Sequence, residues 1–417
     1  MIIRNARIYA AGKFVSGSME FSEKIEAILP DVRTGTEGTG RDVGKAAFGE
    51  RLPKPTAADS VIDEAGSIID AGGCYVIPGL IDIHTHGGAG QDAGDGDAEG
   101  LAELSRYYAS EGVTGWCPTT ATLREEPLLK AVKTAGAFVR PADGAKLAGF
   151  NLEGPFLSPD RAGAQDPLAL HLPDISYFGK INEASGGIVR LVSVAPELPG
   201  AMEFIREVSQ TATVSLGHTN AGYDICREAF ENGASHITHT YNCMPGIHHR
   251  EPGTIPAALE AGATAELIPD GHHIHPAVVR MTAKLFGSKL CFITDSLRCA
   301  GMPDGDYTLG DQEITKTGGR AVLTKTLPRP GEASGKAPTL AGSVISLMEG
   351  IRRAVSFGIP LEDAVHASTI VPARVIGRDR EIGSLAKGKA ADFVILDEAL
   401  FVKAVYINGG SVYAYSK

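Results

Sequence analysis

Pro78-Gly79-Leu80-Ile81-Asp82-Ile83-His84-Thr85-His86-Gly87 is an apolar run that ends in two imidazoles. Read as a strand, its two-residue period puts His84 and His86 on one face and Ile83 and Thr85 on the other. The layout recurs along the chain. Asn151-Leu152-Glu153-Gly154 ends an apolar run at 146–153, and Ile293-Thr294-Asp295-Ser296 ends another at 289–295. His218 ends a run at 211–218 and His239 lies at the end of one at 235–241. Four imidazoles and two carboxylates thus stand at the ends of candidate strands. A metal centre at the mouth of a barrel needs this arrangement, because its ligands come from distant parts of the chain yet meet at one ion.

Eight strand-like runs fall at 76–86, 113–120, 146–153, 188–196, 211–218, 235–241, 263–269 and 289–295. Amphipathic segments separate many of them, as at 98–110, 201–209, 223–232 and 276–286. The alternation predicts an α/β fold, a (β/α)8 TIM barrel, over an open doubly wound sheet. No Gly-x-Gly-x-x-Gly follows the first strand, which speaks against a dinucleotide fold.

Short strands are expected before the barrel, at 1–9, 13–21 and 60–70, and after it, at 391–396, 402–407 and 411–415. A small β-sandwich domain built from residues 1–72 and 381–417 follows, with the hydrolase barrel, 73–380, inserted between its halves. A hairpin at 307–327 and helices at 343–356 and 361–376 complete the barrel portion. Residues 34–58 and 328–338, rich in Gly and Pro, read as surface excursions. Within the first, Gly40 to Lys45 faintly resembles a phosphate-binding loop. It is one residue short, has Ala46 where Ser or Thr is needed, and follows no strand, so it reads as a loop.

The 417 residues suit a large barrel with an accessory domain. Hydrophobic content of 43% and charged content of 21% are those of an ordinary globular protein. A formal charge of −11 with no basic block speaks against a nucleic-acid surface, though a local cluster can still hold a phosphate. The N-terminus lacks a secretory pattern and no run is apolar enough to span a membrane. Six scattered cysteines without Cys-x-x-Cys spacing read as buried free thiols, and a cytoplasmic location is expected.

Taken singly, each candidate has a plainer reading. The His84–His86 pair could be structural, Glu153 an exposed strand-end acid, and Asp295 a cap or salt-bridge partner. Jointly they discriminate, since ten of the twelve histidines fall in or beside the strand-end segments. His236 is an odd number of residues from His239 and points to the opposite face of a regular strand, so it is read as structural. A carboxylate beside a metal, as Asp295 would be, can deprotonate its water and protonate the leaving group. A thiol nucleophile at Cys243 or Cys299 would need its own base and oxyanion hole; packing is the better reading of both.

With these residues in place, the chain resembles the amidohydrolase superfamily, and within it the N-acetylglucosamine-6-phosphate deacetylases. The resemblance runs through Pro78 to Gly87, Asn151-Leu152-Glu153-Gly154-Pro155-Phe156, Gly217-His218-Thr219-Asn220-Ala221 and Thr238 to Met244. It continues through Arg250-Glu251-Pro252-Gly253, Pro269 to Pro276, Ile293 to Ser296, Ala300 to Gly305, Leu340 to Ser343 and Gly383 to Asp397. It implies that Glu153, His218 and His239 hold the principal metal and that His84 and His86 help hold a second. The cofactor would be one or two divalent ions, Zn or Fe, since mixed imidazole and carboxylate ligands suit both. Asp295 would be the catalytic base and acid. Asn242, the backbone of Cys243 and His273 would bind the sugar phosphate, His273 being preferred to His272 from its spacing to Asp295. Arg250 would reach the phosphate in a neighbouring subunit, which implies a homodimer. No lysine occupies the positions where related hydrolases use a carbamylated one; Glu153 would serve instead.

One departure matters. The family commonly carries a His about twelve residues after the metal-binding Glu, whereas this chain has Gln165. Gln165 can hydrogen-bond a hydroxyl or carbonyl of the substrate but cannot carry charge. The galactosamine epimer therefore stands beside the glucosamine one as the expected substrate. Another amide, such as an N-acyl amino acid, is favoured less because Asn242, Arg250 and His273 are retained. A catalytically inactive binding relative would have lost a ligand or the Asp, and neither is lost.

Overall fold

The computed structural model describes residues 1–31, 61–62, 68–324 and 339–415. The excursion at 34–58, with its loop at 40–45, and the one at 328–338 lie outside the described residues.

Eight parallel strands form the barrel in sequence order: β1 Leu80–Thr85, β2 Val113–Thr120, β3 Phe150–Leu152, β4 Val189–Val194, β5 Thr213–Leu216, β6 His236–Ile237, β7 Thr264–Leu267 and β8 Leu290–Phe292. Just past β8 the ring is joined to β1, where the Asp295 amide donates to the His84 carbonyl at 2.8 Å. The Thr294 hydroxyl also donates to Asp82 Oδ2 at 2.6 Å. Helices cover the outside, so β1 and β2 are buried along their whole lengths, as a sheet covered on both faces requires. Ala98–Ser110 illustrates why the helices form. Asp97 caps its first turn by accepting from the amides of Glu99 and Gly100, and Leu101, Leu104, Ser105 and Tyr108 make the buried stripe. Between strands and helices runs the largest apolar cluster, where Phe156 and Phe204 meet with ring centroids 4.7 Å apart.

The strands at the two chain ends come together in one nine-stranded sheet. Phe393 stacks on Tyr406 and lies 5.0 Å from Phe21 by ring centroids. Phe393 and Phe21 lie on strands three places apart in the sheet order, a separation of about 14 Å in a flat sheet. The sheet therefore folds over on a core of its own, which contains Ile3, Met19, Phe21, Val76 and Phe393.

Two expected elements are divided. The run at 76–86 splits into Tyr75–Pro78, which belongs to the terminal sheet, and β1. Pro78 has no amide to continue a ladder. Gly79 packs so closely on Thr114 that a Cβ there would lie 2.0 Å from the Thr114 hydroxyl oxygen. The helix expected at 361–376 becomes Leu361–Ala367 and Ile370–Val375. Pro372 cannot donate to the carbonyl four residues back, so the helix restarts. The expected hairpin is part of a four-stranded sheet, with Gly305–Leu309, Gln312–Thr317, Arg320–Leu323 and Leu340–Gly342. All six cysteines are free, and only Cys243 is more than slightly exposed. Among the described residues no helix is long and apolar enough to cross a membrane.

Candidate metal centre and active site

Each expected ligand sits in or just beyond the C-terminal end of its strand. His84 is in β1 and His86 follows it, Glu153 follows β3, His218 and His239 come two residues after β5 and β6, and Asp295 comes three after β8. Regular pairing has stopped there, so the backbone is free to aim side chains at the barrel axis. His218, His239 and Asp295 take positive φ values of 46°, 23° and 49°, a conformation costly for non-glycine residues and concentrated at functional sites.

Glu153 is the hub. Its Oε1 lies 3.1 Å from His218 Nε2, 2.9 Å from His239 Nε2 and 3.4 Å from His84 Nε2. Its Oε2 lies 3.2 Å from His86 Nε2. Asp295 Oδ1 approaches His86 Nε2 at 3.1 Å and His84 Nε2 at 3.7 Å. His218 and His239 bring their Nε2 atoms within 3.0 Å of each other.

The far side of three imidazoles is fixed by groups that only accept. His84 Nδ1 donates to Glu266 Oε2 at 2.9 Å, His86 Nδ1 to the Thr119 carbonyl at 3.2 Å and His218 Nδ1 to the Arg161 carbonyl at 2.9 Å. A neutral imidazole with its proton on Nδ1 presents a lone pair at Nε2. Lone pairs and carboxylate oxygens then converge in a buried space, which is unfavourable unless a cation or protons stand between them. Nε2 of His84 is buried without a hydrogen-bond partner. Spacings near 3 Å compare with the ligand–ligand distance of about 3.3 Å expected around a tetrahedral ion with bonds of about 2.0 Å. Two triads meet the geometry for holding a metal ion: His84, His86 and Glu153, and Glu153, His218 and His239. The residues fit a divalent cation.

Electrostatics point the same way. Burial opposes ionisation of Glu153, but His84, His218 and His239 hold it well below the ordinary carboxylate range. Glu266 behaves alike: burial is outweighed by His84 and His236, and its carboxyl is strongly lowered.

A cavity of about 290 Å³ opens over the strand ends, with Gln165, Asn242, Cys243, His273 and Asp295 in its wall. His273 donates to Asp270 Oδ2 from Nδ1 at 2.7 Å, whereas His272 points away and accepts from Arg320. Asn242 folds back, donating to the His239 carbonyl at 3.0 Å. Gln165 lines the cavity with its amide engaged, Nε2 donating to Glu153 Oε2 at 2.8 Å and Oε1 accepting from the Thr122 amide. Arg250 is the one expected site residue not gathered here. It is exposed, with its guanidinium 2.6 Å from His249 Nε2, and does not line the cavity.

The sequence reading missed Glu266 and underrated His236. Glu266 accepts from His84 Nδ1, from the His239 amide at 2.9 Å and from His236 Nε2 at 3.1 Å. A lone acid inside the apolar run Thr264-Ala265-Glu266-Leu267-Ile268 was the available signal, since a charge in a strand covered on both faces needs partners.

A barrel whose strand ends gather imidazoles and carboxylates around one point defines a metal-assisted hydrolase. Residues 75–412 match the amidohydrolase family, and the chain belongs to it. It is a hydrolase of carbon–nitrogen bonds. The chain is 39% identical over 336 residues to an N-acetylgalactosamine-6-phosphate deacetylase from Escherichia coli O157:H7, covering 80% of this chain and 86% of that one. An N-acetylglucosamine-6-phosphate deacetylase from Bacillus subtilis (strain 168) is 37% identical over 329 residues, covering 77% and 80%. Among solved structures, a mutant N-acetyl-D-glucosamine-6-phosphate deacetylase from Mycobacterium smegmatis, in complex with N-acetyl-D-glucosamine-6-phosphate, superposes with a TM-score of 0.83. The two are 30% identical, and the match covers 99% of each chain. The expected fold and family are borne out.

Proposed function

We propose that this protein hydrolyses the acetamide of N-acetylglucosamine 6-phosphate, giving glucosamine 6-phosphate and acetate. The observation that carries the reading is the convergence of Glu153 Oε1 with Nε2 of His218 and His239 at the floor of the cavity that Asp295 lines. Glu153, His218 and His239 would hold the principal divalent cation, Zn or Fe, and His84 and His86 would help hold a second. A bound cation supplies Lewis acidity toward the carbonyl and an activated water near neutral pH.

Asp295 is the proton carrier. It takes a proton from the water as the new carbon–oxygen bond forms and delivers it to the nitrogen as the carbon–nitrogen bond breaks. Asn242, the Cys243 backbone and His273 hold the sugar phosphate, and Gln165, in the cavity wall, takes part in binding the substrate. Arg250 serves the site of a neighbouring subunit in a cytoplasmic homodimer. Its exposure outside its own chain's cavity supports that arrangement.

A second reading, the galactosamine epimer, is favoured by one observation: the relative at 39% identity bears that name. Acetate release from both 6-phosphate epimers and from unphosphorylated N-acetylglucosamine, with the metal content of the same sample measured, tests the proposal. Release from the glucosamine epimer in preference to the others is expected. Preference for the galactosamine epimer selects the second reading, and equal turnover of the unphosphorylated sugar removes the phosphate assignment.

A further inference from the structure

Beneath the metal centre the barrel interior holds two polar clusters beside an apolar one that includes Ile81, Leu191 and Cys291. Ser193, Ser215 and Thr238 form one hydrogen-bonded cluster there. Glu266 forms another, is wholly buried, and touches both halves of the candidate centre. One of its oxygens, Oε2, accepts from the His84 ring and from the His239 backbone, each at 2.9 Å. The other, Oε1, accepts from His236, whose Nδ1 lies 2.6 Å from the Thr264 hydroxyl. The Glu266 backbone carbonyl also accepts from the Thr240 amide at 3.0 Å, pinning the chain on the far side of His239.

We infer that Glu266 is a positioning residue that fixes the Nδ1–H tautomer of His84 and holds the strained turn at His239, so that one carboxylate sets the aim of both metal-holding triads. Two facts make the inference specific. His239 keeps a φ of 23°, and the amide of that residue is held by Glu266 Oε2. His84 Nε2 is buried without a hydrogen-bond partner and faces Glu153 and Asp295, an orientation fixed by the contact its Nδ1 makes with the same oxygen. A carboxylate behind a metal-binding imidazole orients the ring and raises its basicity. Here the carboxylate serves a ring of one triad and the backbone of the other. Loading of the two triads is therefore coupled through Glu266.

The inference rests on the metal-centre reading, and its test separates the two. Wild-type protein and the Glu266→Gln variant are loaded with Zn2+, then titrated with a competing chelator while bound metal is counted by atomic emission. The amide of Gln is isosteric, so the fold is expected to persist, but its uncharged oxygen clamps the His84 ring and the His239 amide more weakly than the carboxylate does and no longer raises the basicity of that ring. The expected result is a loss of metal affinity of about 10- to 100-fold. Wild type that binds no metal sinks the metal-centre reading. Wild type that binds, beside a variant with unchanged affinity, sinks the role of Glu266 alone. If the variant does not fold, the wild-type protein still decides: a proton on His84 Nδ1, slow to exchange with water and absent from the His84→Asn variant, is expected by nitrogen-15 NMR. An Nε2–H tautomer at His84 overturns the inference.

Discussion

Glu153 Oε1 and His239 Nε2 lie 2.9 Å apart, both buried, at the ends of strands that are far apart in sequence. His218 Nε2 completes the triangle at 3.1 Å from the same oxygen. Replacing His239 with Ala removes one corner and takes away the partner that lies 2.9 Å from Glu153 Oε1. Bound metal in the purified variant should fall by at least one ion per chain, with activity lost in parallel. Retention of full metal content places the cation elsewhere.

Cation uptake should be coupled to proton release. Burial opposes a charged ring at His86, yet its hydrogen bonds to Asp295 and Glu153, together with their charges, push it up to about 10. Below that pH the ring carries a proton that a cation must displace. Affinity should therefore rise with pH between about 6 and 9, and loading should acidify a weakly buffered solution. Calorimetry in buffers of different ionisation enthalpy measures the number released; a value of zero contradicts this picture.

Asp270 and His273 form a pair whose pH signature differs. Burial disfavours charge on both. The hydrogen bond and charge of each partner overcome it, so Asp270 is lowered and His273 raised. The stabilisation from His273 is complete below about pH 6.5, its unfolded value, and fades as pH rises through its raised folded value. That from Asp270 is present above about pH 3.9 and fades as pH falls through its lowered value. In Asp270→Asn the His273 ring should titrate lower by NMR, and KM for the phosphorylated sugar should rise. An unmoved titration excludes the pair as the cause.

Arg250→Ala should raise KM for the phosphorylated substrate by about 10- to 100-fold, the loss of one charge-assisted hydrogen bond of about 1.5–3 kcal/mol. If the guanidinium serves a neighbouring subunit, mixing this variant with Asp295→Asn should restore activity, because one hybrid site keeps both residues. Failure of complementation in a sample shown to contain hybrids rejects the shared site.

Much of this was legible because the chemistry sits where apolar runs stop. Glu153, His218, His239 and Asp295 each follow a strand and His84 lies near the end of one, and their convergence follows from barrel topology. Glu266 was not legible, since a carboxylate in mid-strand has meaning only once His84, His236 and the His239 amide are known to surround it. The boundary between domains was blurred for a similar reason. Tyr75–Pro78 and β1 have the same apolar texture, and only their pairing partners, Phe393–Leu396 for one and β2 for the other, distinguish them.

The terminal sheet makes its own prediction. Phe393 packs on Phe21 and Tyr406 at the centre of the small core. Phe393→Ala should cost about 3–5 kcal/mol of stability while leaving the metal centre in place. Thermal unfolding read beside metal content checks both halves of that statement.

The most direct test of the account is acetate release from N-acetylglucosamine 6-phosphate by wild type and by Asp295→Asn at equal metal content. Wild type should turn the substrate over. The variant should hold its metal and lose about 10²- to 10⁴-fold in kcat, the scale of a general acid–base residue. Undiminished turnover in the metal-loaded variant, or no release by the metal-loaded wild type, would contradict the account.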